Sequence, residues 1–242
     1  MTSSPAVRAV AQAPLFDRDG WWDDGCREFD SLRSINALRL SILGDWMRDW
    51  FPDGGARIAF DFGCGGGLMA VPLAAQGVRV VGIDCAQRAL VAASRQRQAG
   101  SCFVRAEIGA SPAAVGVADL ALLCDVLEHV DDVGAAIAAA ASSLRPGGAL
   151  FVNTINRGAL ASLLAVRLAE GLGLVPRGTH DPRMFVKPQE VDAHARACGL
   201  VRTHACGERP LLLRSLWSRK VIATRSRSMA VSYCLGFRKE RS

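Results

Sequence analysis

The chain has 242 residues, half of them hydrophobic, with a net charge of +6 and a pI near 9.1. That length suits one α/β domain with an appendage and a substantial core. No apolar run reaches the roughly 20 residues of a spanning helix, and the eight cysteines form no C-x-x-C pair, which argues against transmembrane, disulfide-framework and zinc-ribbon classes.

Residues 1–19 are Ala/Ser/Pro-rich and lack a hydrophobic core before a cleavage site, so they are expected to be flexible and not to direct secretion. A cytoplasmic location is the expectation. Residues 30–50 read as a helix. Ile58 to Phe60 is an apolar run ending in Asp61, followed by the turn Gly63-Cys64-Gly65-Gly66-Gly67 and an Ala/Leu helix. Val78 to Ile83 is a second apolar run and ends in Asp84. Ala86 to Gln96 reads as a helix, and Ser101 to Arg105 as a third strand ending near Ala106 and Glu107. Asp119 to Cys124 is a fourth strand, and Asp132 to Leu144 an Ala-rich helix closed by Arg145-Pro146-Gly147-Gly148. Ala149 to Thr154 is a fifth strand and Pro188 to Cys198 a helix. Leu200 to Ala205 and Met229 to Gly236 supply the last strands. This alternation predicts an α/β, Rossmann-like fold with a mostly parallel seven-stranded sheet and helices on both faces. Residues 20–242 are expected to form a single domain, with an apolar insertion at 158–185.

Strand, glycine turn, helix and a second strand tipped by an acid make a mononucleotide-binding unit. The glycines let a ligand approach the backbone, and Asp84 is placed to accept hydrogen bonds from a ribose diol. A dinucleotide turn would need a glycine at position 68, which is Leu68. The pattern present, D-x-G-x-G-x-G from Asp61 to Gly67, resembles motif I of class I S-adenosylmethionine (SAM) methyltransferases. That resemblance implies SAM as cofactor, with Asp61 near its cationic amino-acid end and Gly63, Cys64, Gly65, Asp84, Cys85 and Glu107 around it.

Further motifs narrow the family. WWDDGCREFDSLRSINALRL (21–40), CDVLEHV (124–130), RPGG, NTINR (153–157) and VPRGTHDPRMFVKP (175–188) occur in this order. Together they resemble the ubiquinone-biosynthesis O-methyltransferases, the polyprenyl-hydroxyphenol methylases, over roughly residues 20 to 195. The resemblance implies methyl transfer to a phenol or catechol hydroxyl of a polyprenylated quinone precursor. It also implies that Arg39 contacts SAM and that the backbone of Cys124 lies beside it.

Asp125, Glu128 and His129 are spaced i, i+3 and i+4, which predicts one shared face at a helix start. Family members carry a Glu-x-x-Glu-His set there that is implicated in Mg²⁺ binding. Two readings stand: these residues hold a divalent cation, or they cap a helix and wall the active site. His180, in Gly178-Thr179-His180-Asp181, is a candidate base, with His129 its rival and Asp125 a further catalytic candidate. Residues 158–174 are too apolar for a surface helix, and in the resembling family the insertion is linked to membrane association; a lid or dimer face are alternatives. The basic residues are spread, with a concentration towards the C-terminus, and the chain has one Tyr. Without a stacking platform no nucleic-acid partner is expected, and an anionic membrane surface suits the charge at least as well. Two other functions stay open: a specialised-metabolism methyltransferase acting on another hydroxyl, carboxyl or amine, and a non-catalytic SAM-binding subunit.

Overall fold

The computed structural model describes residues 13–24, 26–111 and 113–241. Helix α1 (Ala13–Phe16) and the long helix α2 (Arg27–Trp50) precede the sheet. Then come β1 (Ile58–Phe62), α3 (Ala70–Ala75), β2 (Arg79–Asp84), α4 (Gln87–Arg95) and β3 (Ser101–Arg105), followed by β4 (Ala118–Cys124), α5 (Val133–Ser143) and β5 (Leu144–Ile155). The later chain gives α6 (Ala159–Ala161), which runs into a π-helical stretch at Ser162–Glu170, and α7 (Pro188–Ala197). It ends with β6 (Leu200–Pro210), α8 (Leu212–Ser218), β7 (Ala223–Ser226) and β8 (Ser232–Lys239).

The strands form one sheet in the order β3-β2-β1-β4-β5-β8-β6-β7. β3, β2, β1, β4 and β5 pair in parallel, whereas β8, β6 and β7 pair antiparallel to their neighbours. The Rossmann-like expectation holds, and among the described residues the sheet has eight strands where seven were expected. The addition, β7, is a short polar edge strand of partly exposed residues, Ala-Thr-Arg-Ser, with no apolar run to announce it.

Central strands are buried on both faces, and alternate residues of β4 show how. Leu120 and Leu122 pack with Trp46 and Trp50 of α2, while Ala121 and Leu123 pack with Ile137 and Ala140 of α5. Asp132 starts α5 by accepting a hydrogen bond from the Ala135 N–H at 2.8 Å. The Arg145-Pro146-Gly147-Gly148 stretch, expected as a helix-closing turn, belongs to β5. Leu144 pairs with Ala118, and a register shift between Ala118 and Leu120 absorbs the extra residues.

Of the N-terminal residues expected to be flexible, 1–12 lie outside the described residues. Within residues 13–19, Asp17 accepts from the Arg88 N–H of α4, and Asp19 pairs with the Arg88 guanidinium, each at 2.6 Å. The Arg157 Nε–H donates to the Phe185 carbonyl at 2.7 Å and closes the base of the 158–185 segment. Among the described residues no helix is long and apolar enough to cross a membrane.

Candidate active site

The strand order reverses between β1 and β4, and there a crevice opens beyond the carboxyl ends of the strands. Leaving β1, the chain enters Gly63 with φ +71°, where a Cβ would lie 2.5 Å from Val126 Cγ2. Only glycine satisfies both the backbone angle and the space. The N–H groups of Gly63 and Cys64 donate to the Ile83 carbonyl at 2.8 and 3.1 Å. Asp84 braces the same turn by accepting from the Gly65 N–H at 2.7 Å and the Ala86 N–H at 2.8 Å. Each of its oxygens keeps a lone pair for a further donor.

A cavity of about 1030 Å³ lies over this turn. Asp61, Gly63, Cys64, Gly65, Asp84, Cys85, Glu107 and Cys124 line it, and so do Asp125 and His129. Arg39, the remaining expected cofactor residue, does not. Sequence spacing gave no sign of Phe16, Met69, Ile108 or Val126, which also line it. Trp21 belongs to a quoted motif but carried no role; its indole packs over Gly65 and Gly66, where a Cβ at Gly66 would collide with it. Burial, and then the nearby Asp61 charge, push the Cys124 thiol well up, so it is no nucleophile at neutral pH.

The residues present fit SAM. Asp61 is buried, its Oδ2 has no hydrogen-bond partner among the described residues, and it lines the cavity at the end of β1. Burial, reinforced by the neighbouring Asp84 charge, pushes its carboxyl up to about 8, against a lowering by the Ala70 N–H. A buried carboxyl of this kind is stabilised as an anion by a cation placed beside it. The α-ammonium of SAM is one, and Asp84 offers acceptors for the ribose hydroxyls.

A second, larger cavity of about 1660 Å³ adjoins the first, sharing Phe16, Leu32, Asp125 and His129 with it. Its walls are mostly apolar and come from α2, the π-helical stretch and α8, through residues such as Ile35, Leu164, Leu168, Leu212 and Leu216. Arg39 lines this cavity. Its guanidinium is buried, donates to Glu208 Oε1 at 3.1 Å and Asn36 Oδ1 at 3.0 Å, and forms an ion pair with Asp125. Burial alone would lower its pKa, but Asp125 and Glu208 outweigh burial and hold it well up. Glu208 and Glu170 are site residues that the sequence did not reveal. Glu170 accepts from the N–H groups of Gly178 and His180 at 2.8 and 2.9 Å, and its Oε1 lies 3.2 Å from His180 Nδ1. That pairing favours the tautomer with hydrogen on Nδ1, which leaves Nε2 as a base. His129 stands where the cavities meet, edge-on to Phe16. Burial, then the His180 charge, lower it to about 4, so it is neutral above that pH.

The shared helical face expected for Asp125, Glu128 and His129 is corrected. Asp125 has φ +52° and precedes a single 3-10 turn, Leu127–His129, so the α-helical spacing does not apply. Asp125 turns to Arg39 on α2, whereas Glu128 is buried and accepts from the Thr154 hydroxyl at 2.6 Å. Burial, and then Asp125, push Glu128 up to about 8. Among the described residues no group of three His, Cys, Asp or Glu could hold a metal ion. The donors therefore do not fit Mg²⁺, which favours hard, ionised oxygen ligands in near-octahedral geometry.

Residues 60–152 match the model of a methyltransferase domain family. The chain is 41% identical over 185 residues to the ubiquinone biosynthesis O-methyltransferase of Ralstonia nicotianae, covering 74% of this chain and 75% of that protein. It is 36% identical over 224 residues to that of Cupriavidus pinatubonensis, covering 90% and 85%. Among solved structures it resembles a SAM-dependent methyltransferase from Thermotoga maritima, with a TM-score of 0.67 and 18% identity over 95% of this chain and all of that one, a likeness of fold. The parallel sheet and the reversal between β1 and β4 agree with that likeness. With identity of this extent over most of its length, the chain belongs to the ubiquinone biosynthesis O-methyltransferases, a family of SAM-dependent methyltransferases.

Proposed function

We propose that this enzyme methylates a phenol or catechol hydroxyl on a quinone precursor bearing an isoprenoid tail. The observation that carries this reading is the second cavity: apolar, larger than the cofactor cavity, and joined to it at Asp125 and His129. A polar ring at the junction with its tail along Leu164, Leu168 and Leu216 suits that shape and lining.

SAM bound in the first cavity supplies an electrophilic methyl group on a sulfonium. The chain's own residues orient the acceptor and take its proton. His180 is the base, with Glu170 fixing its ring and balancing the charge it gains. His129, neutral at working pH, and the Arg39-held Asp125 wall the junction. Alignment and exclusion of water contribute most of the barrier reduction. No step is assigned to a divalent cation, because Asp125 and Glu128 are already committed to Arg39 and Thr154. The 158–185 segment, which lines the cavity, gives a tailed substrate an apolar route and supports peripheral contact with a membrane.

The test is transfer of a labelled methyl group from SAM to a prenylated catechol and to its tail-less analogue. Turnover of both, with a lower KM for the prenylated form, is expected. His180→Gln should lower kcat about 100-fold while SAM affinity is kept. Absence of transfer to either catechol would overturn the proposal.

A further inference from the structure

Helix α8 turns one apolar face to the second cavity and a second apolar face to solvent. Leu212, Ser215 and Leu216 line the second cavity. Leu213 and Trp217, one turn apart on another side of the helix, are 85% and 91% exposed. Leu172, Leu212 and Leu216 line the cavity and are still about half exposed, so they form its rim. Single exposed leucines are ordinary, but an exposed Leu–Trp ridge on a helix that forms the mouth of an apolar cavity is a surface for a partner.

The charge around α8 indicates which partner. Between Glu208 and Glu240 the chain has no acidic residue and eight basic ones. Arg214 and Arg219 on either side of the ridge are exposed, and Lys220 is partly so. A second copy of this chain, itself at +6, would bring like charge to the same face. An anionic bilayer offers phosphates for the basic residues, an acyl boundary for Leu213 and the headgroup level that an indole prefers.

We propose that α8 is a membrane-docking element. Leu213 and Trp217 enter the headgroup–acyl boundary of an anionic bilayer, and Arg214, Arg219 and Lys220 lie at the phosphates. The cavity mouth then faces lipid, and a prenyl tail passes between bilayer and protein without crossing water. This rests on the tailed-substrate reading and goes beyond the 158–185 insertion by naming a separate anchor in the C-terminal part.

The full chain would be sedimented with phosphatidylcholine vesicles, with and without one-quarter phosphatidylglycerol. Binding to the anionic vesicles is expected to be at least about tenfold tighter than to the neutral ones. Leu213→Ser with Trp217→Ser should weaken anionic binding by about tenfold or more. The same double variant should methylate a tail-less catechol at the wild-type rate, which reports intact folding, and lose turnover of a prenylated catechol embedded in vesicles. Unchanged vesicle binding by the double variant would overturn the proposal, as would a concentration-dependent dimer in analytical ultracentrifugation that the variant abolishes. Failure of the wild type on every catechol, with vesicle binding intact, would sink the substrate reading but not the docking surface.

Discussion

Asp61 is the residue whose protonation a SAM ammonium placed beside it would change. Burial pushes its carboxyl from an ordinary 3.8 up to about 8, so between those values the folded chain holds a proton that the unfolded chain has lost. Its contribution to stability is therefore full below pH 3.8 and declines as pH rises towards 8. An ammonium beside it reverses the preference, so SAM binding at pH 7 should release a proton and tighten as pH rises to 8. Calorimetry in two buffers of different ionisation enthalpy measures that proton. Asp61→Asn should abolish the release and weaken binding by about 10- to 100-fold, the worth of one charge-assisted hydrogen bond. A second residue-scale expectation concerns Glu208, whose carboxylate also accepts from the Ser232 hydroxyl at 2.9 Å. Glu208→Gln leaves Arg39 short of an anion in a buried site and should cost about 3 kcal/mol of unfolding free energy, read by denaturant titration. Asp61 and Asp84 were legible in sequence because each ends an apolar run. Glu208 and Glu170 were not, because their partners are 169 and 10 residues away and are brought close only by folding.

At the scale of elements, the glycine turn is the clearest case of sequence dictating structure. Gly63 has no freedom to vary, and Gly66 is constrained just as tightly by the Trp21 indole packed on it. Gly66→Ala should displace Trp21, raise the KM for SAM at least about tenfold and leave the sheet intact, since the collision is with a side chain at the cavity wall. Steady-state kinetics alongside circular dichroism would separate the two effects. Strands β1 to β5 were readable because buried parallel strands are continuous apolar runs. β7 was missed for the opposite reason, as its four residues are largely polar and half-exposed. The Asp125–His129 spacing misled because it assumed α-helical periodicity. Asp125 combines a left-handed backbone with an ion pair to Arg39, 86 residues away in sequence, which no local pattern announces.

For the whole molecule, the two cavities share a wall, and part of that wall is the N-terminal strap. Phe16 borders both spaces, Trp21 covers the glycine turn, and Asp17 and Asp19 fasten the strap to the start of α4, just after the strand tip that bears Asp84. Because the strap borders both spaces, its displacement would open the donor cavity and remove a side of the acceptor's pocket together. Turnover should therefore follow a compulsory order, donor first to arrive and its demethylated form last to leave. Product-inhibition kinetics check this: S-adenosylhomocysteine should compete with SAM and be noncompetitive towards the catechol. A random pattern would mean that the strap does not gate the sequence of events.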